Sequence, residues 1–268
     1  MNGTHTETLQ RIQSALEAGR AVLNQFTPGA IEAEYKAGHD PVTEADKLVD
    51  AVLKRELLRE GEGWLSEESV DDLSRLEKRR VWVVDPLDGT REFVAGIPEF
   101  CVSVAMVEDG RPVAGGICNP ATNESFLGSV ETGLTYNGKP AKPSQRRELN
   151  GATVLASRSE TKRGEWKRFE SANFDIRPMG SVAYKLARVS AGLDDITFTL
   201  VPKNEWDVAA GVALVESGGG FARTLDNQPL RCNQKNPLLS GLIACGPHLS
   251  EQLLALIGEH IPAGAARP

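Results

Sequence analysis

The chain has 268 residues, 40% hydrophobic and 25% charged, which suits one packed core or two closely packed subdomains and excludes fibrous, collagen-like and disordered classes. Thirty basic against thirty-seven acidic residues leave a net charge of −7, which excludes a general attraction for nucleic acid or an anionic membrane. An anionic small molecule would have to be met by local positive charge, which metal ions can supply.

The polar N-terminus, MNGTHTETLQ, lacks the apolar segment of a signal peptide, and no run approaches the roughly 20 apolar residues of a membrane span, so a cytoplasmic protein is expected. Leu9, Ile12, Leu16, Val22, Leu23 and Phe26 recur at helical spacing up to Pro28-Gly29 and predict a first amphipathic helix. Thr43-Glu44-Ala45-Asp46 matches a capping box and opens a second helix, with Leu48, Val49, Val52, Leu53 and Leu57 on one side and an end near Gly61. Trp64-Leu65 steps into the acidic Ser66-Glu67-Glu68-Ser69. Val81 to Val84 predict a buried strand that stops at Asp85-Pro86. Three strands with antiparallel character follow, from Cys101 to Val107, Val113 to Ile117 and Ser125 to Val130, with turns at Glu108-Asp109-Gly110 and Asn119-Pro120.

From Thr153 onward strands and helices alternate: strand to Ala156, a charged helix through Trp166, strand from Phe174 to Arg177 and helix from Ser181 to Ser190. A strand from Ile196 to Leu200, a helix from Trp206 to Glu216, a strand from Leu239 to Ala244 and a closing helix from His248 to Ile257 complete the chain. The expected fold class is α/β, with an α+β N-terminal half over residues 1–147 and an α/β C-terminal half over residues 148–268. The polar, proline-containing stretch Lys142 to Arg147 marks the boundary. Cys101, Cys118, Cys232 and Cys245 form no CxxC pair and read as buried reduced thiols.

The segment that carries chemistry is Val81 to Thr90, VWVVDPLDGT. An apolar strand delivers Asp85 and Asp88 into a Gly89-Thr90 turn, where carboxylates can converge on one ion and glycine lets backbone N–H groups approach an oxyanion. A helical turn over Arg91 to Val94 would add its dipole, and the whole makes a Mg²⁺ and phosphate cradle, since Mg²⁺ takes oxygen ligands and shares them with substrate phosphate. The competing reading is a plain turn, because Asp, Pro and Gly are each turn residues. An EF-hand is excluded, since Leu87 falls where the third-position oxygen ligand belongs, and the spacing of three does not suit a nucleophilic aspartate with its partner two positions on. No histidine stands near Thr90 as a base, so a covalent phosphoenzyme is not required.

With these residues the chain resembles the inositol monophosphatase superfamily, which includes bisphosphate nucleotidases and fructose bisphosphatases. The resemblance runs from about Leu9 to Ile257. Asp85-Pro-Leu-Asp-Gly-Thr90 looks like the first signature and Trp206-Asp207-Val-Ala-Ala-Gly211 like the second; Ser66-Glu67-Glu68 and the segment ending at Asp46 resemble two upstream motifs. It implies a layered α/β/α/β/α sandwich with the metal site at the junction of its halves, and a homodimer. Carried over residue by residue, it implies that Glu67, Asp85 and the Leu87 carbonyl bind a first Mg²⁺ and that Asp85, Asp88 and Asp207 bind a second. A third, weaker ion would sit near Glu67. Thr90, linked to Asp46, would activate a metal-bound water with help from Glu67, while N–H groups around Asp88, Gly89 and Thr90 would hold the phosphate. Each has an ordinary reading beside this one: Asp46 as a capping residue, Glu67 as solvated surface, Asp207 as a favourable charge in a first helical turn.

For substrate the pattern departs from the inositol-cleaving branch. The glutamate that branch places seven residues before its second-signature aspartate is here Leu200, and Arg91-Glu92-Phe93 after Gly89-Thr90 resembles the bisphosphate nucleotidase branch. A small phosphorylated metabolite is expected, with a 3′(2′),5′-bisphosphate nucleotide preferred, inositol monophosphate next and fructose 1,6-bisphosphate third. A regulatory or scaffolding role is the alternative outside catalysis. Gly180, Ser181 and Lys185 are candidate substrate contacts, Lys185 for a second phosphate, beside the reading of an N-cap and a solvated lysine. Lys36 reads as surface or as a neighbour of the metal site.

Overall fold

The computed structural model describes residues 3–35 and 41–260. Lys36 lies outside the described residues. Helices α1 (Gly3–Leu23) and α2 (Glu44–Leu57) bracket the short pair β1 (Glu34–Tyr35) and β2 (Pro41–Val42). A seven-stranded sheet follows from β3 (Gly63–Ser66), β4 (Arg80–Asp88), β5 (Cys101–Glu108), β6 (Arg111–Asn119), β7 (Glu124–Ser129), β8 (Gly133–Tyr136) and β9 (Lys139–Ala141), with neighbours in chain order. The five-residue helix α3 (Thr90–Val94) interrupts it after β4.

A second sheet is built from β10 (Thr153–Ser157), β11 (Asp175–Met179), β12 (Ile196–Thr199), β14 (Phe221–Arg223) and β16 (Leu242–Cys245), in the order β11-β10-β12-β16-β14. Interleaved with it are α4 (Arg158–Lys162), α5 (Val182–Ser190), α6 (Glu205–Ser217) and α7 (Ser250–His260). The pair β13 (Lys203–Asn204) and β15 (Leu238–Leu239) stands apart. No helix among the described residues is long and apolar enough to cross a membrane.

The layers follow from side-chain alternation along the strands. On β4, Trp82 and Val84 pack with α1 and α2, whereas Val81 and Val83 pack with α5 and α6 on the opposite face. On β16, Leu242 and Ala244 join that middle helix layer, and Ile243 and Cys245 face the outer cluster of Trp166, Phe169 and α7. The order is therefore helix, sheet, helix, sheet, helix. Helix α6 is apolar all round, from Val208 to Val215, because it is covered by sheet on both sides. All four cysteines are free and buried.

Three expectations change. The strand does not stop at Asp85-Pro86 but runs to Asp88, because the register with β5 shifts between Asp85 and Asp88 and a bulge accommodates proline without a ladder donor. The strand expected over Leu239 to Ala244 is split between β15 and β16 at Gly241, whose φ of 145° breaks the run. The charged helix ends at Lys162, and Trp166 lies in a separate 3₁₀ segment, Glu165–Ala172. The pair β8 and β9, too short and polar to show a clear period, had no sequence signal.

Candidate metal and phosphate site

The sheet brings the candidate ligands together in three steps. On β4 the parity that points Val81 and Val83 at the middle layer also points Asp85 there, buried at 1% exposure. The parallel pairing of β3 with β4 ends at Ser66 opposite Val84, so the next residue, Glu67, emerges beside Asp85. Asp207 comes from α6, docked across the same face. Carboxylate oxygens of Glu67, Asp85 and Asp207 all lie within 4.8 Å of one another.

Burial raises the Asp85 carboxyl well above its ordinary range, and the neighbouring Glu67, Asp88, Asp207 and Asp46 charges add to it. Burial, Asp88 and Glu67 push Asp207 up to about 8. The donor set is all oxygen, with no imidazole or thiolate, and it concentrates negative charge that protons or a cation must offset. That is the chemistry of a hard divalent cation such as Mg²⁺, and the residues fit it.

Asp88 stands outside this trio. Its Oδ2 accepts hydrogen bonds from Ser181 Oγ at 2.7 Å and from the Ala183 N–H at 2.6 Å. Ser181 also caps α5 by accepting from the Tyr184 N–H at 3.0 Å. It thus ties the start of α5 to the end of β4, from a strained φ of 51°. Gly180 fits because a Cβ there would collide with the Glu92 carboxyl, and its N–H donates to Glu99 Oε2 at 2.7 Å. Gly89 takes a φ of 97°, and a Cβ there would come within 2.6 Å of the Glu99 carbonyl.

The Thr90 hydroxyl lies 2.9 Å from both Asp46 Oδ1 and the Leu87 carbonyl and donates its proton toward them. Asp46 does close the capping box, through Thr43 N–H at 2.8 Å and Thr43 Oγ1 at 2.6 Å to its Oδ2, yet its other oxygen is given to Thr90. Capping and site roles coexist, one oxygen each. Burial raises the Asp46 carboxyl, against the bonds from Thr43 and Thr90 that hold it down.

Glu67, Asp85, Asp88, Thr90, Ser181 and Asp207 line a cleft of about 330 Å³, with Asp46 behind Thr90 and outside the lining. Arg91, Arg158, Lys185 and Lys203 line the same cleft. Lys185 is buried at 5% exposure with its Nζ 3.4 Å from the Met179 carbonyl, so the solvated-lysine reading fails. Burial and the Lys203 charge pull it down to about 8, while Asp88, Glu160 and Glu92 hold it up. Leu200 packs against the outer core of Trp166, Phe198 and Leu253 rather than lining the cleft.

Sequence reasoning missed the supports. Asp50 accepts from Ser66 Oγ at 2.5 Å and Ser69 Oγ at 2.6 Å, anchoring the loop that carries Glu67. Its place one turn after Asp46 was the available signal. Arg158 pairs with Glu99 at 2.5 Å, and Glu205 receives two backbone N–H groups at the start of α6; neither has a local pattern that gives it away.

Residues 5–262 match the model of the inositol monophosphatase family. The inositol-1-monophosphatase of Rhizobium meliloti is 30% identical over 263 residues, covering 94% of this chain and 96% of that protein. The Nus factor SuhB of Xylella fastidiosa is 32% identical over 244 residues, 87% of each chain. Among solved structures, the inositol monophosphatase of Anabaena superposes with a TM-score of 0.82 at 28% identity, covering 98% of this chain and all of that one.

Proposed function

This chain belongs to the inositol monophosphatase family of metal-dependent phosphatases, and from that premise we propose that it hydrolyses a phosphomonoester on a small metabolite that carries a second phosphate, a 3′(2′),5′-bisphosphate nucleotide being the preferred class. The observation that carries the proposal is the cleft itself, which places Lys185 and Lys203 with a three-carboxylate cluster; Arg158 also lines it but is held by Glu99. Lys185 and Lys203 offer charge for a second phosphate beside the one that the metal end would hold. The residue where the inositol branch places its hydroxyl-binding glutamate, Leu200, packs into the core instead.

In this reading Glu67, Asp85 and Asp207 hold Mg²⁺, with Asp88 and the Leu87 carbonyl as further ligands across two or three ions. Bound there, Mg²⁺ would offset the charge that builds on the phosphoryl oxygens and on the leaving oxygen. The chain's own contribution is proton handling and orientation. Thr90, its proton committed to Asp46 and Leu87, presents an oxygen lone pair to the attacking water, and Asp46 and Glu67 share the role of base. The first N–H groups of α3, beyond the left-handed Gly89, have no intrahelical acceptor and suit a phosphate oxygen. Ser181, committed to Asp88, positions that ligand, while Gly180 and Lys185 face the substrate.

The proposal carries a two-subdomain division at 147/148, a homodimer and a cytoplasmic setting from the sequence. Inositol monophosphate is the second substrate reading, favoured by the name of the Rhizobium meliloti relative. A regulatory role beside catalysis is favoured by the name of the Xylella fastidiosa relative. The deciding experiment is a competition of adenosine 3′,5′-bisphosphate, inositol 1-phosphate and fructose 1,6-bisphosphate by kcat/KM in Mg²⁺, because that ratio measures discrimination directly. The bisphosphate nucleotide should lead by at least about tenfold, and an inositol phosphate lead would overturn the substrate class. No turnover of any substrate in a broad phosphomonoester panel would count against catalysis and favour the regulatory reading.

A further inference from the structure

Two of the three clustered carboxylates reach the site from segments far apart in the chain, Glu67 from the loop after β3 and Asp207 from the first turn of α6. A set of partly buried polar contacts joins those segments away from the cleft. Arg75, 1% exposed, lies eight residues after Glu67. Its guanidinium donates to Asp71 at 2.8 Å within its own loop, to Asn233 Oδ1 at 2.7 Å and to the Gln234 carbonyl at 2.9 Å. Asn233 Nδ2 returns a bond to the Arg75 carbonyl at 3.1 Å. The backbone N–H groups of Asn233 and Gln234 both donate to the carboxylate of Glu205, at 2.6 and 2.8 Å. Glu205 is 0% exposed and lies two residues before Asp207.

The circuit therefore runs from the Glu67 loop through Arg75, the 233–234 turn and Glu205 to the helix end that holds Asp207. None of its members lines the cleft. We infer that Arg75, Asn233 and Glu205 are positioning residues that hold Glu67 and Asp207 at a fixed separation, so that the ion meets a site already assembled rather than one it must gather.

The reason is electrostatic. Once their protons leave to admit the ion, three carboxylates within 4.8 Å repel one another, and that repulsion favours their spreading. The circuit opposes it from outside, through a planar guanidinium whose fixed fork engages side chain and backbone together, a geometry a lysine could not reproduce. A closed set of bonds of this kind also lowers the ordering cost of binding, which is the general effect of preorganisation. The inference rests on the reading of Glu67 and Asp207 as ligands of one ion.

The test uses the full chain with Mg²⁺ alone as the probe, and reads the Mg²⁺ midpoint for thermal stabilisation beside the Mg²⁺ dependence of turnover. Asn233→Gly is the mild variant: it keeps the left-handed backbone at φ 61° and the N–H to Glu205 but removes both side-chain bonds to Arg75. Glu205→Gln replaces one of its two acceptor oxygens by a donor. Leu253→Ala, in the outer core, serves as the control that lowers stability alone. Both circuit variants should raise the Mg²⁺ midpoint at least fivefold, with kcat recovered at saturating Mg²⁺, while the control leaves the midpoint in place. Midpoints within twofold of the parent in folded Asn233→Gly overturn the inference. A parent chain that Mg²⁺ does not stabilise at all overturns the metal site itself, and the positioning role with it.

Discussion

Asp46 and Asp50 stand one turn apart on α2, and each holds a different part of the candidate site. Asp46 accepts from the Thr90 hydroxyl, and Asp50 accepts from the two serines that flank Glu67. Residues four apart on a helix share a face, so a single rigid element sets the distance between the carboxylate that holds Thr90 and the loop that carries Glu67. The helix is itself fixed by Val49, Leu53 and Leu57, each at 0% exposure in the core beneath the sheet.

Asp50→Ala should therefore loosen the Glu67 loop. Two hydroxyl bonds to a carboxylate are lost, each worth about 1.5–3 kcal/mol, partly offset by relief of the buried charge. Urea unfolding without metal should show a loss of about 2–3 kcal/mol, and the Mg²⁺ midpoint for activity should rise. Unchanged values of both would remove Asp50 from any supporting role.

Thr90→Val keeps the shape of the side chain and removes its hydroxyl. The fold should persist, as judged by circular dichroism, while kcat falls about 10²- to 10³-fold, the usual scale for one proton-handling group. KM should move little, because the hydroxyl is expected to act on water rather than on the ground-state phosphate.

Asp88→Asn leaves an oxygen able to accept from Ser181 and Ala183, so the junction between β4 and α5 is kept. It removes one charge from the metal end. Turnover should disappear with the fold intact, and near-normal activity would show that the metals do not depend on Asp88.

The pH dependence follows from the raised carboxyls. Asp85 and Asp207 hold their protons in the folded metal-free chain at pH values where the unfolded chain has released them. The folded state thus binds more protons, so metal-free stability falls as pH rises from about 4, the ordinary carboxylate range, to about 8, where Asp207 titrates. Mg²⁺ displaces those protons, so its affinity rises over the same interval. The thermal shift produced by a fixed Mg²⁺ concentration should be larger at pH 8 than at pH 6. The reverse order would contradict the carboxylate cluster as the binding site.

Lys203→Ala should separate the substrate readings. With a bisphosphate nucleotide, kcat/KM should drop roughly 10- to 100-fold, about 1.4–2.8 kcal/mol, whereas a monophosphate should lose less than about threefold. Steady-state kinetics on the two substrates decides it, and equal losses would place Lys203 outside the second-phosphate contact.

Much of the fold was legible because its signals are local. The capping box at Thr43 and Asp46, the apolar run before Asp85 and the glycine at position 89 each act within a few residues, and each appears where expected. The Asp46 reading was divided between a cap and an active-site group, and the structure gives it both, since a carboxylate has two oxygens. Lys185 read equally well as solvated or functional; only packing of α5 against the sheets buries it. Ser181 on Asp88 spans 93 positions, and Arg75 on Asn233 spans 158. No periodicity reaches that far.

The sequence by itself determined that an apolar strand would deliver two aspartates into a glycine-threonine turn, and that an acidic residue would open the helix at Asp207, because chain connectivity alone sets those neighbours. The tertiary structure decided the face on which they meet. Side chains alternate along β4, so the register with β3 and the bulge between Asp85 and Asp88 determine that Asp85 joins Glu67 and Asp207 while Leu87 turns into the opposite core. A shift of one residue in that pairing would turn Asp85 toward α1 and α2, away from Asp207 on α6.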